Sequence, residues 1–243
     1  MQEANLAVTR ALADPYDYFR DLAALAGDSA VLPALRCLFV TSALRDDDTG
    51  RHTLRVGYMA ELIGHALGLD EATCVALRVA APMHDIGKLA IPDVVLFKPG
   101  PLDAGEIRIM RRHSEYGARI LAAGDDPLFT MAATIAGAHH ERFDGGGYPY
   151  GLRGEAIPLC ARITAICDCF DALSMPRCYR PALDEAQVLA HVRGERGGAF
   201  DPQVVDAFER CWPTLAVAHA CLEAQALRLF EQLRSGAALG AQP

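Results

Sequence analysis

Apolar residues recur at intervals of three and four along most of the chain, which is the spacing of one face of an α-helix. One apolar stripe consists of Val56, Met59, Ile63 and Ala66, and a longer one consists of Leu159, Ile163, Ile166, Phe170 and Leu173. No segment alternates apolar and polar residues in the way that a half-buried strand would. The pattern therefore predicts an all-α fold, a bundle of amphipathic helices.

Capping residues, glycines and prolines predict where these helices begin and end. Helix starts are predicted at 46–48, Asp70, Asp103, Asp126-Pro127, Pro158, Asp184 and Asp201-Pro202. Gly68 is expected to end the first helix, because glycine is the usual residue after a helix C-terminus. Asp103 and Glu106 form an acidic capping box, which predicts a helix over about 104–122. The helix that starts at Asp201-Pro202 is expected to end around Trp212-Pro213.

Composition and charge narrow the class of protein. The 243 residues, of which 51% are apolar and 22% charged, suffice for a sizeable core. A net charge of −8 without a basic stripe argues against binding to a nucleic-acid polymer. No apolar run approaches the roughly 20 residues that span a bilayer, and the N-terminus lacks a secretory signal pattern. The eight cysteines include no Cys-x-x-Cys pair, which favours reduced thiols and a cytoplasmic location.

The pair His84-Asp85 is the first candidate for chemistry, because it stands in an apolar stretch between Met83 and Ile86. Burying two adjacent polar groups costs several kcal/mol unless both are satisfied. A hydrogen bond between the two side chains within the core would satisfy them, and so would a metal ion. Imidazole nitrogen and carboxylate oxygen are ligand types that suit iron and manganese.

Further candidate ligands lie at the inward faces or the ends of other predicted helices. The complete set is His52, His84, Asp85, His113, His139, His140 and Asp168. Each histidine alone has a second interpretation as a hydrogen-bonded core residue, but ligands drawn from facing helices are typical of metal sites in bundles. Seven ligands are too many for one ordinary site and suit two ions that share Asp85, an arrangement that recurs in enzymes that hydrolyse phosphate esters. Consecutive residues lie about 100° apart around a helix, so His139 and His140 are expected to serve two neighbouring ions.

Two features next to these ligands point to a substrate. Three glycines at 145–147 directly follow the His139-His140 pair. A glycine triplet is often a flexible surface loop, but in this position it is interpreted as a loop over a site. Arg177 and Arg180 follow the helix that carries Asp168 and are either phosphate contacts or part of a charged rim.

Three segments, in this order, resemble the HD-GYP family of bacterial cyclic di-GMP phosphodiesterases within the HD superfamily. They are His84-Asp85-Ile86-Gly87-Lys88, the run from His139 to Pro149, and Asp168-Cys169-Phe170-Asp171-Ala172-Leu173. The resemblance covers about residues 46–212 and implies an HD-superfamily helical bundle for that domain. A segment of short N-terminal helices then occupies 1–45, and a C-terminal helix and tail occupy 213–243.

The resemblance also implies roles for individual residues. The seven candidate ligands would hold two divalent ions, iron first and manganese as the alternative, with Asp85 as the bridging, catalytic carboxylate. Lys88 would be the second catalytic residue, which touches the substrate or stabilises the leaving phosphate. The other implied substrate contacts are Gly147, Tyr148, Pro149, Arg177 and Arg180. Asp48 stands where the family often has Glu, and it is the candidate ligand of a third ion. Ser174-Met175-Pro176 and Cys178 depart from the family pattern in the loop that carries the two arginines.

The activity that follows from the resemblance is hydrolysis of cyclic di-GMP to pGpG and on to GMP in bacterial second-messenger signalling. One alternative is a catalytically weak module that binds nucleotide or a partner protein, such as a GGDEF-type cyclase. Another is a phosphodiesterase for a different cyclic dinucleotide, such as cyclic GMP-AMP. Leucines that recur at sevens after residue 213 suggest a helix-on-helix seam and a homodimer formed through the C-terminal helix.

Overall fold

The structure is a computed structural model that describes residues 31–45, 47–175 and 182–235. The helices predicted before residue 31 lie outside the described residues, as do Arg177 and Arg180 and the side chain of Asp48. In chain order the α-helices are α1 Val31–Arg45, α2 Asp47–Leu67, α3 Glu71–Ala80, α4 Asp93–Leu96, α5 Ala104–Arg111, α6 His113–Leu121, α7 Pro127–Ala138, α8 Leu159–Ser174, α9 Glu185–Gly194 and α10 Pro202–Ser235.

The predicted all-α fold is confirmed. Three short 3-10 turns at Ala81–Met83, Ile86–Ala90 and Gly154–Ala156 complete the helical elements. The described residues contain no strand. Sheet-like pairing among them is limited to the isolated bridge between Arg196 and Phe200. None of the described helices combines the length and the apolar character that crossing a bilayer requires.

The predicted capping residues begin the helices that were assigned to them. The side chains of Asp70, Asp103, Asp126 and Asp184 each accept a hydrogen bond from a backbone N–H of the first turn. Such a bond satisfies one of the donors that a helix start leaves without a partner. Gly68 follows the last residue of α2 with φ +80°, a conformation that glycine adopts without steric cost.

Helix α2 lies at the centre of the fold and packs against α1, α3, α8 and α10. Three residues of its predicted stripe, Val56, Met59 and Ile63, have no exposed surface, and the fourth, Ala66, is half-buried. Burial of such side chains supplies about 1.5–3 kcal/mol each and holds the surrounding helices on α2. His52 lies one turn before Val56 and is 6% exposed, so the same packing carries this imidazole into the interior.

The predicted helix over 104–122 is in fact two helices that meet at Arg112. The Arg112 N–H bonds to the Ile109 and Met110 carbonyls, which tightens the last turn of α5. The Met110 carbonyl also lies 2.7 Å from Nδ1 of His113, the first residue of α6. This side-chain bond competes with the regular helical pattern and turns the His113 ring inward.

The predicted helix end around Trp212-Pro213 is wrong, because α10 continues through Pro213 to Ser235. A proline inside a helix removes one backbone hydrogen bond and costs roughly 3 kcal/mol. Phe208 and Cys211 before the proline and Leu215 after it are all buried against the core. Burial on both sides of Pro213 offsets the lost bond, which the local sequence signal does not reveal.

Candidate metal centre

Five segments of the fold bring the predicted ligands to one place: α2, the turn after α3, the start of α6, the end of α7, and α8. In that order they contribute His52, His84 and Asp85, His113, His139 and His140, and Asp168. One set of possible ligands, which we call the histidine-rich group, consists of Asp85, His113, His139 and His140. Its ligand atoms lie within 4.8 Å of one another. A second set, which we call the carboxylate-rich group, consists of His52, His84, Asp85 and Asp168. The first three meet the same distance criterion, and Asp168 lies 3.1 Å from His52.

Gly87 explains why the His84-Asp85 turn can lie so close to α6. A Cβ atom at this position would lie 1.9 Å from the His113 carbonyl oxygen and 2.5 Å from the Gly117 nitrogen. No side chain fits such a distance, so glycine permits the backbone of α6 to rest directly on the turn. This close contact places the His113 ring beside Asp85.

The Asp85 carboxylate lies between the two groups and faces both. Oδ1 is 3.3 Å from His113 Nε2 and 3.9 Å from His139 Nε2, whereas Oδ2 is 3.3 Å from His84 Nε2. Lys88 Nζ donates to Oδ2 at 2.6 Å. Burial alone would raise the pKa of Asp85, but the nearby ammonium of Lys88 holds it well below its usual range, so the carboxylate is ionised.

Four of the imidazole rings are fixed through Nδ1, which leaves Nε2 for a ligand. His84 Nδ1 donates to the Ala81 carbonyl at 2.9 Å. His113 and His139 Nδ1 likewise face backbone carbonyls at 2.7 and 3.1 Å, and His52 Nδ1 lies 2.7 Å from an Asp171 oxygen. Hydrogen bonds of this kind set the tautomer and the ring orientation of metal-binding histidines.

The surroundings of the Nε2 atoms show that the donor set fits a metal ion. His113 Nε2 and His139 Nε2 face each other at 3.5 Å, and each carries a lone pair because its Nδ1 holds the proton. His84 Nε2 is buried and has no hydrogen-bond partner among the described residues. Facing lone pairs and an unsatisfied buried nitrogen both cost free energy that a cation would remove. The nitrogen and oxygen donors suit a divalent transition metal.

The two groups differ in their protonation. Burial lowers the pKa of His113 and His139, and it lowers the pKa of His140 to about 4, so these rings are neutral at neutral pH. For His52, burial alone would also lower the pKa, but hydrogen bonds to Asp168 and Asp171 raise it to about 9. Burial alone would raise the pKa of Asp168, but the bond from His52 holds it below its usual range.

The expectation that His139 and His140 serve different ions rested on regular helix geometry, and the structure differs. Helix α7 ends at Ala138, and the two histidines follow in the turn after it. Their ring centroids are 4.0 Å apart, and both rings belong to the histidine-rich group. The end of the helix therefore frees the backbone to direct two consecutive rings toward one place.

The glycine-rich segment lies against this candidate site. The Tyr148 ring stacks on His140 with ring centroids 4.7 Å apart, and a cis peptide bond joins Tyr148 to Pro149. A Cβ atom at Gly147 would lie 2.3 Å from the Arg142 nitrogen, so glycine is required where the loop folds back. The buried Glu141 carboxylate accepts bonds from the backbone N–H groups of Tyr150 and Leu152 and anchors the loop.

Sequence reasoning assigned no role to three residues around the site. Arg111 places its guanidinium over the Tyr148 ring, 4.7 Å from the centroid. Asp171 is fully buried and bonds to His52, and His219 of α10 bonds to Asp171. The spacing of Asp171 three residues after Asp168 is a signal that could have indicated a paired role. A lone histidine in α10 carries no such signal.

Comparisons with known proteins agree with this geometry. A protein-family profile described as "HD domain" matches residues 41–204. The cyclic di-GMP phosphodiesterase response regulator RpfG of Xanthomonas campestris is 46% identical over 166 residues, which cover 68% of this chain and 44% of that protein. A cyclic di-GMP phosphodiesterase of Thermotoga maritima is 40% identical over 174 residues, which cover 72% of this chain and 47% of that protein.

A third relative acts on a different nucleotide. The 3'3'-cGAMP-specific phosphodiesterase 2 of Vibrio cholerae is 41% identical over 178 residues, which cover 73% of this chain and 34% of that protein. The chain thus spans less than half of the length of each of these three relatives.

Solved structures share the fold. The Bdellovibrio bacteriovorus protein Bd1817, described as an HDG"Y"P protein, superimposes with a TM-score of 0.54 at 17% identity. The matched region is 72% of this chain and 56% of the Bd1817 chain. A cyclic GMP-AMP phosphodiesterase of Vibrio cholerae superimposes with a TM-score of 0.55 at 18% identity. The matched region is 83% of this chain and 60% of the Vibrio chain. These two structures show the fold, and the HD domain profile over residues 41–204 shows the family.

Proposed function

The chain belongs to the HD domain family, and on this premise we propose that it is a metal-dependent phosphodiesterase that hydrolyses cyclic di-GMP to pGpG and on to GMP. One observation carries the proposal: two groups of nitrogen and oxygen donors share the buried Asp85 carboxylate. Pairs of ions that share a carboxylate recur in enzymes that cleave phosphate esters. The relatives that are named cyclic di-GMP phosphodiesterases support this choice of substrate.

We assign the ligands from the two groups. His113, His139 and His140 would hold one ion, and His52, His84 and Asp168 would hold the other, with Asp85 between them. The absence of thiolate from this set favours iron or manganese over a structural zinc site. Asp48 is the candidate ligand of a third ion, and two ions are the expected number.

Bound cations would supply Lewis-acid activation of the phosphate and of the attacking water. The chain supplies the other parts of the reaction. Lys88 has a side chain that is 28% exposed, so its ammonium can reach a phosphate oxygen while it neutralises Asp85. Arg177 and Arg180 are proposed to hold the phosphates through bidentate bonds. Tyr148 stacks on His140 and restricts the ring of this ligand.

The reaction balances with water as the co-substrate. One water adds to a phosphodiester of cyclic di-GMP, one bond between phosphorus and a 3′-oxygen breaks, and linear pGpG carries the new 5′-phosphate and 3′-hydroxyl. A second hydrolysis converts pGpG to two GMP. A GGDEF-type signalling protein and a second copy of the chain, bound through the C-terminal helix, are the proposed protein partners.

Cyclic GMP-AMP is the second candidate substrate. The Vibrio cholerae relative that is named as specific for it is 41% identical to this chain, which is close to the identity of the cyclic di-GMP relatives. Similarity of this degree does not separate the two substrates. The distinction therefore depends on an assay.

The test is turnover of a panel of cyclic dinucleotides by purified protein loaded anaerobically with iron or manganese, with product identification. Consumption of cyclic di-GMP with pGpG appearing before GMP is the expected result. Preferential consumption of cyclic GMP-AMP would establish the second candidate. A protein that binds two ions and turns over none of the dinucleotides would be a binding module, which would refute the proposed activity.

A further inference from the structure

Asp171 lies fully buried beneath the candidate metal centre and connects three other residues. Its Oδ2 accepts hydrogen bonds from His52 Nδ1 at 2.7 Å and from Arg55 Nη2 at 2.8 Å. Its Oδ1 accepts from Arg55 Nε at 2.6 Å and from His219 Nε2 at 2.9 Å. Every oxygen of this carboxylate is therefore used, and the residue joins α2, α8 and α10 in one network.

The bond to His52 has a clear consequence for a ligand. Because Nδ1 of His52 donates to Asp171, Nε2 points into the carboxylate-rich group, where it lies 3.1 Å from Asp168 Oδ1. A carboxylate behind a histidine fixes the ring and makes it a better donor to a metal. His84, His113 and His139 use backbone carbonyls for the same purpose. The orientation of His52 alone among these four depends on another side chain.

His219 extends this network to the C-terminal helix. It stands on α10 beyond Pro213 and beyond residue 204, where the match to the HD domain ends. Its side chain is 12% exposed, and its ring packs on Phe170 with centroids 5.1 Å apart. The Phe170 contact and the bond to Asp171 together place the imidazole in a single orientation.

We propose that His219 is a positioning residue of the metal centre, which acts on His52 through Asp171. The C-terminal helix thereby sets the affinity of the ion that the carboxylate-rich group holds, while the ion of the histidine-rich group does not depend on it. A displacement of α10 that breaks the bond to Asp171 weakens one ion of the pair. This inference rests on the proposed function, because it takes His52 as a ligand.

The test measures binding of Mn²⁺ alone to the full chain by calorimetric titration. His219→Leu keeps the side-chain volume but removes the donor, whereas His219→Gln keeps a donor that reaches Asp171. We expect His219→Leu to weaken one of two ions by about 10-fold, the lower end of the usual effect of such supporting residues. His219→Gln should bind as the unaltered protein does. The same Leu substitution at His191, an exposed histidine on α9, is the matched control and should have no effect.

A second comparison tests whether the effect is confined to the ion that His52 would hold. In a His52→Ala background, adding His219→Leu should not change the affinity of the ion that remains. If His219→Leu does not fold, His219→Asn replaces it, because the shorter amide cannot reach Asp171 and should weaken the same ion.

Three results would overturn the inference: normal binding of both ions by the Leu or Asn variant, equal weakening of both ions, or the same loss in the Gln variant as in the Leu variant. Failure of the proposed function has a different signature. In that case the unaltered protein itself binds no Mn²⁺ or iron.

Discussion

The two groups of the candidate metal centre share Asp85, yet their ligands are supported differently. In the histidine-rich group, His113 and His139 each bond through Nδ1 to the backbone carbonyl three residues earlier in the chain, as His84 of the other group also does. In the carboxylate-rich group, His52 bonds to Asp171, which lies 119 residues away along the chain. Local backbone bonds form with the helix end itself, whereas the distant bond needs α2, α8 and α10 to be packed first.

The protonation of the two groups differs for the same reason. Burial without a directly bonded carboxylate lowers the pKa of His140 to about 4 and leaves a neutral ring. Two bonded carboxylates outweigh burial at His52 and raise its pKa to about 9, which leaves a protonated ring. A cation can bind the first group without displacing a proton, whereas at His52 it must displace one. The carboxylates thus orient the His52 ring and at the same time make the binding of a cation to His52 dependent on pH.

The largest expected effect comes from the residue that both groups share. Asp85→Asn keeps the size of the side chain but removes the charge between the two groups. Loss of supporting residues alone costs 10- to about 100-fold, so we expect metal content and turnover to fall together by more than about 100-fold. Elemental analysis and the dinucleotide assay measure both. A variant that folds and hydrolyses cyclic di-GMP at the normal rate would show that His84-Asp85 is a structural pair.

Removal of one ligand from a single group tests whether the two groups bind their ions independently. His52→Ala should lower the metal content from about two ions to about one by weakening the carboxylate-rich group, and His139→Ala should do so through the histidine-rich group. Either change should lower the affinity of the affected ion by about 100-fold. Elemental analysis after dialysis distinguishes the outcomes, with His191→Ala as the control. Loss of both ions in each variant would contradict the division into two groups.

Substitution of either of the two arginines should leave both groups occupied by metal ions. Arg177→Ala or Arg180→Ala removes a charge-assisted bond to phosphate, which is worth about 1.5–3 kcal/mol. We expect kcat/KM to fall by about 10- to 100-fold with unchanged metal content. Steady-state kinetics together with elemental analysis test this expectation. Normal kinetics in both variants would assign the arginines to a charged rim.

The smallest effect is on the stability of the chelator-treated, metal-free protein. His140, with a pKa lowered from 6.5 to about 4, contributes stability above pH 6.5 that is lost as the pH falls toward 4. His52, with a pKa raised from 6.5 to about 9, contributes stability below pH 6.5 that is lost as the pH rises through 9.

These two terms predict that Tm is highest near pH 6.5 and falls on either side by an amount on the order of a few °C. Thermal unfolding followed by circular dichroism measures the profile. His52→Gln should flatten its alkaline side, and His140→Gln should flatten its acidic side. An alkaline side that is equally steep in His52→Gln would show that the proton on His52 does not contribute.

Most of the fold could be predicted because its signals act within one helical turn. Asp70, Asp103, Asp126 and Asp184 cap the helices that follow them, and the stripe of α2 is buried as its spacing indicates. The break at Arg112 and the passage of α10 through Pro213 could not be predicted in the same way. At Arg112 the side-chain bond from His113 to the Met110 carbonyl outweighs the regular helical pattern, and at Pro213 burial against other helices outweighs the preference of proline to end a helix.

The amino-acid sequence by itself determined the residue types that the site offers, because nitrogen and oxygen donors at helix ends carry their chemistry wherever the chain places them. It also determined the glycine at position 87, which permits the approach of α6. Only the tertiary structure decided that His139 and His140 turn toward one group and that Asp171 supports His52. It alone also decided that His219 reaches this network from α10. These contacts join segments that are far apart along the chain, and such contacts form only when apolar burial packs the helices together.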